Sequence, residues 1–278
     1  MNGSQQAPDA LAMRSAGALA YIEAEMDSLE EQLQQAPDWR PARMLLAELD
    51  WLRGKVRELA DAWDRKLVVA IAGPSGAGKS TLLNALAGRE LSRTGLQRPT
   101  TREVVVYAAA RSDAEHLLEH LGDGAAEVHV AADARPLESF LLVDTPDTNT
   151  LPENQRLLAR VLERADLVLA VFPVQNPKML DNIAFLEPYV RHLPDGAVTP
   201  VLNMVDRVPR EQLDEIVADF RVAIDRQWGR EPGRVFLVSA LEGVRDNGAA
   251  GGLPADERPL HDVNELRELE DLLFSSLN

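Results

Sequence analysis

The chain contains no cysteine. That absence excludes disulfides, thiolate zinc sites and a cysteine nucleophile together. No apolar stretch approaches the roughly 20 residues that a bilayer-crossing helix requires. The opening "MNGSQQAPDALAMRS" has no basic segment followed by an apolar core, so it does not read as a secretion signal, and the cytosol is the expected compartment. Positive charge is also scarce, with 29 Lys and Arg against 45 Asp and Glu and a formal net charge of −16. That balance opposes a broad nucleic-acid surface, which needs a phosphate-neutralising basic face. It equally opposes a polybasic membrane footprint. No internal repeat is visible.

What is there suits one full domain plus an accessory element in 278 residues. The accessory element comes first. Leu19, Ile22, Met26, Leu29 and Leu33 form one apolar seam, and Leu45, Leu49, Leu52, Val56, Leu59 and Trp63 form a second. Alternating steps of three and four predict two helices, each apolar along one face. "QAPDWRPA", with Pro37 and Pro41, supplies the break between them. Residues 1–65 are therefore expected to form an antiparallel helical hairpin. Packing is the expectation for Trp39, Trp51 and Trp63.

From residue 66 to 278 the pattern changes. Short apolar runs, "LVVAIA", "EVVVYAA", "AEVHVAA", "SFLLVD", "LVLAVF", "TPVLNM" and "RVFLVS", alternate with helical segments near 80–88, 153–164, 178–192, 209–227 and 262–277. Near-continuous apolar strands separated by helices predict an α/β fold, a mostly parallel central sheet covered on both faces. Between 111 and 133, "DAEHLLEHL" predicts a short helix before an edge strand. The stretch 242–259 is rich in glycine, proline and charge and reads as a loop.

The chemistry starts at "GPSGAGKS", residues 73–80, directly behind the first strand and ahead of a helix. Gly73, Gly76 and Gly78 permit a curl whose N–H groups point at phosphate oxygens. Ser75, Ala77 and Thr81 complete that cradle. Lys79 brings a point charge to the β- and γ-phosphates, and the Ser80 hydroxyl is placed for Mg²⁺. The helix N-terminus adds its positive dipole end. Asp144, at the tip of "LLVD", suits a second magnesium holder acting through water. "NMVD" places Asp206 to accept from N1–H and N2–H₂ of guanine, a donor pair that adenine does not have. Asn203 is expected to help fix N7 and the loop, and the backbone N–H groups of Ser239 and Ala240 to meet guanine O6. His116 and His120 have metal-ligand spacing but no evident third ligand, so an exposed helix face is the better account.

With "GPSGAGKS", "RPTTR", "DTPD", "NMVD" and "SAL" in this order, residues 66–278 resemble the translation-factor-like class of P-loop GTPases, on its Era/dynamin-like branch. The resemblance implies a P-loop GTPase fold, bound GTP or GDP, Mg²⁺ and hydrolysis of GTP. It makes residues 98–102 switch I, with Thr100 or Thr101 closing on metal and γ-phosphate, and 144–154 switch II. The helical hairpin resembles the flanking helices of dynamin-like proteins, which pack into a bundle, and a homodimer across the GTPase domain is the matching expectation. The incomplete catalytic set implies slow turnover raised by self-association or a partner. Ser75 would approach the γ-phosphate in the same or a neighbouring molecule, and Arg98 would reach transition-state charge.

Two residues depart from the family pattern. Asp147 replaces the glycine of DxxG; its N–H can still sense γ-phosphate, but its carboxylate is expected to turn away from that charge. Met204 replaces the lysine of NKxD and is expected to cover the base through an apolar face. A transporter-type ATPase has a similar phosphate loop, but its LSGGQ-like signature is absent and "NMVD" is of the guanine type. A nucleotide-gated scaffold of the dynamin kind, with little hydrolysis, is the nearer alternative.

Overall fold

The computed structural model describes residues 6–35, 39–91, 104–132, 134–148, 152–178, 180–191, 193–249 and 263–276. By backbone contacts the chain divides into two compact units, Met1–Arg65 and Lys66–Asn278.

The first unit is a helical hairpin of α1 (Gln6–Gln34) and α2 (Arg40–Asp64). Pro41 falls in the first turn of α2, where a missing N–H goes unnoticed because that turn has no intrahelical acceptor. Met26 and Leu33 of α1 and Ala42 and Leu49 of α2 are buried. Arg53 reaches across to Asp27 Oδ1 at 2.9 Å and Glu30 Oε2 at 2.8 Å. The rest of each seam is more open than its periodicity implies. Ile22, Leu29, Leu45 and Leu52 are between 40% and 47% exposed. Trp39 and Trp51, expected to pack, are instead more than half exposed. A two-helix hairpin has one shared strip to bury, and these indoles lie off it. The side chain of Trp63 is outside the described residues.

The second unit is a seven-stranded sheet among the described residues: β1 (Leu67–Ala72), β2 (Val104–Ala108), β3 (Ala126–Val130), β4 (Phe140–Asp144), β5 (Leu167–Pro173), β6 (Val198–Asn203) and β7 (Phe236–Val238), in the order β3-β2-β4-β1-β5-β6-β7. Every pairing is parallel except β2 with β4. β3 takes the sheet edge, preceded by α4 (Glu115–Leu121). Pro200 lies inside β6, yet the β7 ladder begins only at Val201, so no hydrogen bond is lost on that side.

The helices α3 (Lys79–Ala87), α5 (Pro152–Leu162), α6 (Leu180–Val190), α7 (Arg210–Trp228), α8 (Ala240–Ala249) and α9 (Leu266–Ser276) complete the unit. Alternate residues of each central strand enter different cores, because strand side chains alternate faces. Val68, Ala70 and Ala72 of β1 join Leu158 and Val161 of α5, Ile183 and Leu186 of α6, and Phe220 and Ile224 of α7. Val69 and Ile71 join Leu82, Leu83 and Leu86 of α3 and Leu266, Leu269 and Leu273 of α9. Each such fully buried Leu, Ile or Phe contributes about 1.5–3 kcal/mol relative to exposure. Phe172 meets Phe220 edge-on with ring centroids 5.1 Å apart, and Trp228 Nε1 donates to the Ile183 carbonyl at 2.8 Å.

The stretch 242–259, expected to be a loop, is corrected over its first part. α8 runs through Gly243 and Gly248 to Ala249, and residues 250–262 lie outside the described ones. Gly243 explains why glycine serves here despite its poor helix propensity. A Cβ at that position would run into Leu266 Cδ2 and stand 3.1 Å from Ala85 Cβ of α3. Close packing, which composition does not reveal, holds this helix. Gly243→Val is therefore expected to destabilise the fold by about 1–3 kcal/mol through overpacking, read as a lower midpoint in thermal melts of the two proteins. An unchanged midpoint would show that α8 does not approach α3 this closely.

Candidate functional site

The mutually parallel strands β4, β1, β5, β6 and β7 deliver their chemistry to one end of the sheet, because strands running the same way leave their carboxyl ends on the same edge. The loop 73–78 follows β1, Asp144 ends β4, Asn203 ends β6 and Ser239 follows β7. Register enforces the alignment: Ile71 of β1 stands beside Asp144 of β4, and Asn203 of β6 beside Val238 of β7.

The phosphate loop has the backbone its glycines allow. Gly76 and Gly78 take φ of 76° and 84°, and Gly78 caps α3 in the left-handed region. A Cβ on Gly78 would also strike Asn203 Nδ2. α3 begins at Lys79, one residue before the expected start, with Ser80 next. Ala77 is buried, Thr81 half-buried, and Ser75 and Gly76 are exposed at the tip. Ser80 Oγ donates to Asp144 Oδ2 at 2.6 Å, so two oxygens predicted to hold a cation adjoin each other.

Lys79 is buried, with Nζ donating to the carbonyls of Gly73 at 3.1 Å and Pro74 at 3.3 Å. Its third partner is the Asp147 carboxylate. Opposite charge 68 residues distant draws it onto the loop's own ammonium. The segment around Asp147 is braced on both sides. Thr145 Oγ1 donates to the Ile71 carbonyl at 2.8 Å, and Thr148 N–H to the Gly73 carbonyl at 3.2 Å. The Thr148 hydroxyl bonds Asn182 Oδ1, and Gln155 Nε2 donates to the Thr148 carbonyl at 3.1 Å. Asn182 and Gln155 carry no motif, and their helices gave no local sign of this role.

At the other end of the cleft, Asn203 is buried, donating from Nδ2 to the Ala77 carbonyl at 2.9 Å. Its Oδ1 accepts from Met204 N–H at 2.8 Å and Ala240 N–H at 3.1 Å. Met204 adopts φ 69°, the single non-glycine residue at positive φ among those described, a strain of about 1–2 kcal/mol that this bond helps offset. Ser239 Oγ donates to Asp206 Oδ1 at 2.7 Å. Gly78 and Thr81 line one small cleft together with Asn203, Met204, Asp206, Arg207 and Leu241. Residues of "GPSGAGKS" and "NMVD" are thereby brought side by side.

Two expectations about the amides are corrected. Ser239 N–H donates to Asn264 Oδ1 at 3.1 Å and Ala240 N–H to Asn203 Oδ1, so both single protons face inward rather than toward a base. Asn264, which sequence reasoning missed, also donates from Nδ2 to Ser239 O and Glu242 Oε2, each at 3.0 Å. Its only local sign is a polar residue ahead of the last helix. Arg98, Thr100 and Thr101 lie outside the described residues, as do 149–151 of the expected second switch. Arg160 of α5 donates to the carbonyl of His120 on α4, while burial and the Arg164 guanidinium hold the His120 imidazole below its ordinary pKa of 6.5. Among the described residues no cluster of three or more His, Asp or Glu could hold a metal, and no helix is long and apolar enough to cross a membrane.

The comparisons with known proteins agree with this geometry. A model of the 50S ribosome-binding GTPase family matches residues 68–219. The tRNA modification GTPase MnmE of Pseudomonas savastanoi pv. phaseolicola is 33% identical over 190 residues, covering 67% of this chain and 37% of that protein. A probable transmembrane GTPase, FZO-like and chloroplastic, of Arabidopsis thaliana is 29% identical over 227 residues, covering 77% of this chain and 24% of that protein. A structure of an oligomerised bacterial dynamin pair shares the fold, with a TM-score of 0.59 and 15% identity, over 94% of this chain and 43% of that one. The chain thus spans about a quarter to two fifths of the length of these relatives. By the family match across more than half its length, the motif order and the sheet that carries it, the chain belongs to the 50S ribosome-binding GTPase family of P-loop GTPases, on the Era/dynamin-like branch.

Proposed function

We propose that residues 66–278 bind GTP with Mg²⁺ and hydrolyse it to GDP and phosphate, residues 1–65 forming a separate helical domain. The observation that carries this reading is the placement of Asp206 in the same small cleft as Gly78 and Thr81. With Oδ1 held by Ser239, the carboxylate is pre-oriented and keeps acceptor capacity for N1–H and N2–H₂ of guanine. Asn203 has a second Nδ2 proton beyond the one on Ala77 O, available to N7. Met204, half-buried against Val174, Val205 and Leu213, lies beside the base.

Lys79 grips the β- and γ-phosphates with the amides of residues 73–78. Ser80 and Asp144 fit Mg²⁺, which favours hard oxygen donors and takes only one or two from protein when phosphates supply others. Bound there, the ion would neutralise charge developing on the phosphates. Asp147 N–H senses the γ-phosphate, and Thr100 or Thr101 closes switch I. Ser75 and Arg98 supply what the site has of transition-state stabilisation, since no glutamine follows Asp147 to position water. Turnover is consequently slow and is raised by self-association. The exposed apolar side chains of the hairpin, Tyr21, Met44 and Trp51 among them, favour the second reading, a dynamin-like assembly scaffold gated by nucleotide.

Calorimetry with GDP, a GTP analogue and ADP tests the site. Lys79→Ala should weaken guanine-nucleotide binding by about a hundredfold, the loss of a charge-assisted bond being about 1.5–3 kcal/mol. Asp206→Ala should keep phosphate binding but cut the preference for GDP over ADP by about tenfold or more. Equal affinity of the native chain for ADP and GDP would defeat the guanine assignment. For the metal, added Mg²⁺ should tighten GTP-analogue binding to the native chain and tighten it far less in Ser80→Ala. An identical response in both proteins would remove Ser80 from the cation site. Phosphate release per molecule should rise with protein concentration, and a flat profile would oppose activation by self-association.

A further inference from the structure

Lys79 has three N–H donors, and its three partners are the Gly73 and Pro74 carbonyls and the Asp147 carboxylate. A phosphate oxygen entering the loop must therefore displace or share one of them. The carbonyls are part of a backbone tied by Ala77 N–H to the Pro74 carbonyl at 3.3 Å and by Thr148 N–H to the Gly73 carbonyl. The carboxylate hangs on a side chain with rotatable bonds, in a segment fixed by Thr145 and Thr148. It is also the partner of like charge to the incoming ligand. Asp144 does not share this role, since Ser80 Oγ holds its Oδ2 at 2.6 Å.

We propose that Asp147 determines the preference between nucleoside di- and triphosphate. Its carboxylate holds the Lys79 ammonium from the side on which Asp147 N–H would meet a γ-phosphate, so that a diphosphate binds alongside it and a triphosphate must evict it. This rests on the reading of the cleft as a nucleotide site and adds the residue that discriminates between substrate and product. The braces dictate how eviction happens. With Thr145 and Thr148 anchored on β1 and on the phosphate loop, the side chain can rotate while the backbone stays. If rotation is insufficient, the Thr148 to Gly73 bond is the next to break, which would carry the displacement toward α5 through Gln155 and toward α6 through Asn182. A diphosphate imposes neither change. The native chain is thereby biased toward its product, and its family's glycine at this position removes that bias.

The test is a set of titrations of the native chain, Asp147→Asn and Asp147→Gly with GDP, a non-hydrolysable GTP analogue, ADP and a non-hydrolysable ATP analogue, all with Mg²⁺. The native chain should bind GDP more tightly than the GTP analogue. Both variants should gain about tenfold or more for the triphosphate, because like-charge repulsion is removed, while GDP affinity moves by less than about threefold. Asp147→Asn keeps the shape and loses the charge; Asp147→Gly removes the side chain, so one folded variant is enough to decide. Parallel shifts of GDP and GTP-analogue affinity, or none, would reduce the ion pair to a fold-stabilising contact and overturn the proposal. A native preference for the triphosphate would do the same. ADP bound as well as GDP overturns the guanine assignment alone, because the di-to-triphosphate ratio within either base series still judges Asp147. Absence of binding by all four nucleotides overturns both.

Discussion

A single buried amide joins the parts of the cleft that come from distant stretches of chain. Asn203 sits at the carboxyl end of β6, donates to the Ala77 carbonyl in the phosphate loop, and accepts from the amides of Met204 and Ala240. Phosphate loop, the turn after β6 and the start of α8 are thus held by one side chain with almost no exposure. Buried polar groups carry a cost of about 1–3 kcal/mol each when left unpaired, so the three partners and Asn203 are stable together or not at all. The left-handed Met204 is tolerated because this arrangement holds it, as backbone strain persists only where surrounding structure over-determines it. Asp206 inherits its position from the same turn and receives its final orientation from Ser239.

The other end of the cleft runs on charge. A buried ammonium must have a counter-charge or strong acceptors, and two backbone carbonyls supply only part of that. Asp147 supplies the rest. The departure from the family glycine therefore adds a counter-charge to the lysine of the phosphate loop. Thr148, Gln155 and Asn182 connect the segment that follows Asp147 to two helices on one face of the sheet.

Much of this was open to a reading of residues alone. The apolar runs predicted every strand among the described residues, since near-continuous hydrophobicity is what a parallel sheet covered on both faces needs. "GPSGAGKS" specified its own curl, because glycine at 76 and 78 is what positive φ requires. The pairing of Ser80 with Asp144 and the nearness of Asp206 to the phosphate loop followed from motif order, which maps onto strand ends in a parallel sheet. Elsewhere the reading went astray for identifiable reasons. α8 looked like a loop because Gly243 and Gly248 lower helix propensity, whereas contact with α3 and α9 rewards the missing Cβ. Trp39 and Trp51 looked like core because residue type says nothing about which side of a helix a neighbour covers. The amides of Ser239 and Ala240 looked available to a base, but Asn264 and Asn203 claim them.

The dividing line is the range of the interaction. Residue type and short spacing were enough for strands, helices, the phosphate-binding curl and the order of the motifs, since each depends on sterics and periodicity within a few residues. The direction of the Asp147 carboxylate, the inward turn of two amides and the clamp of Asn203 on Ala77 join positions 25 to 126 residues apart. Contacts of that reach exist only after the sheet has brought its strand ends together, because until then nothing local tells a charge which of many distant partners it will meet.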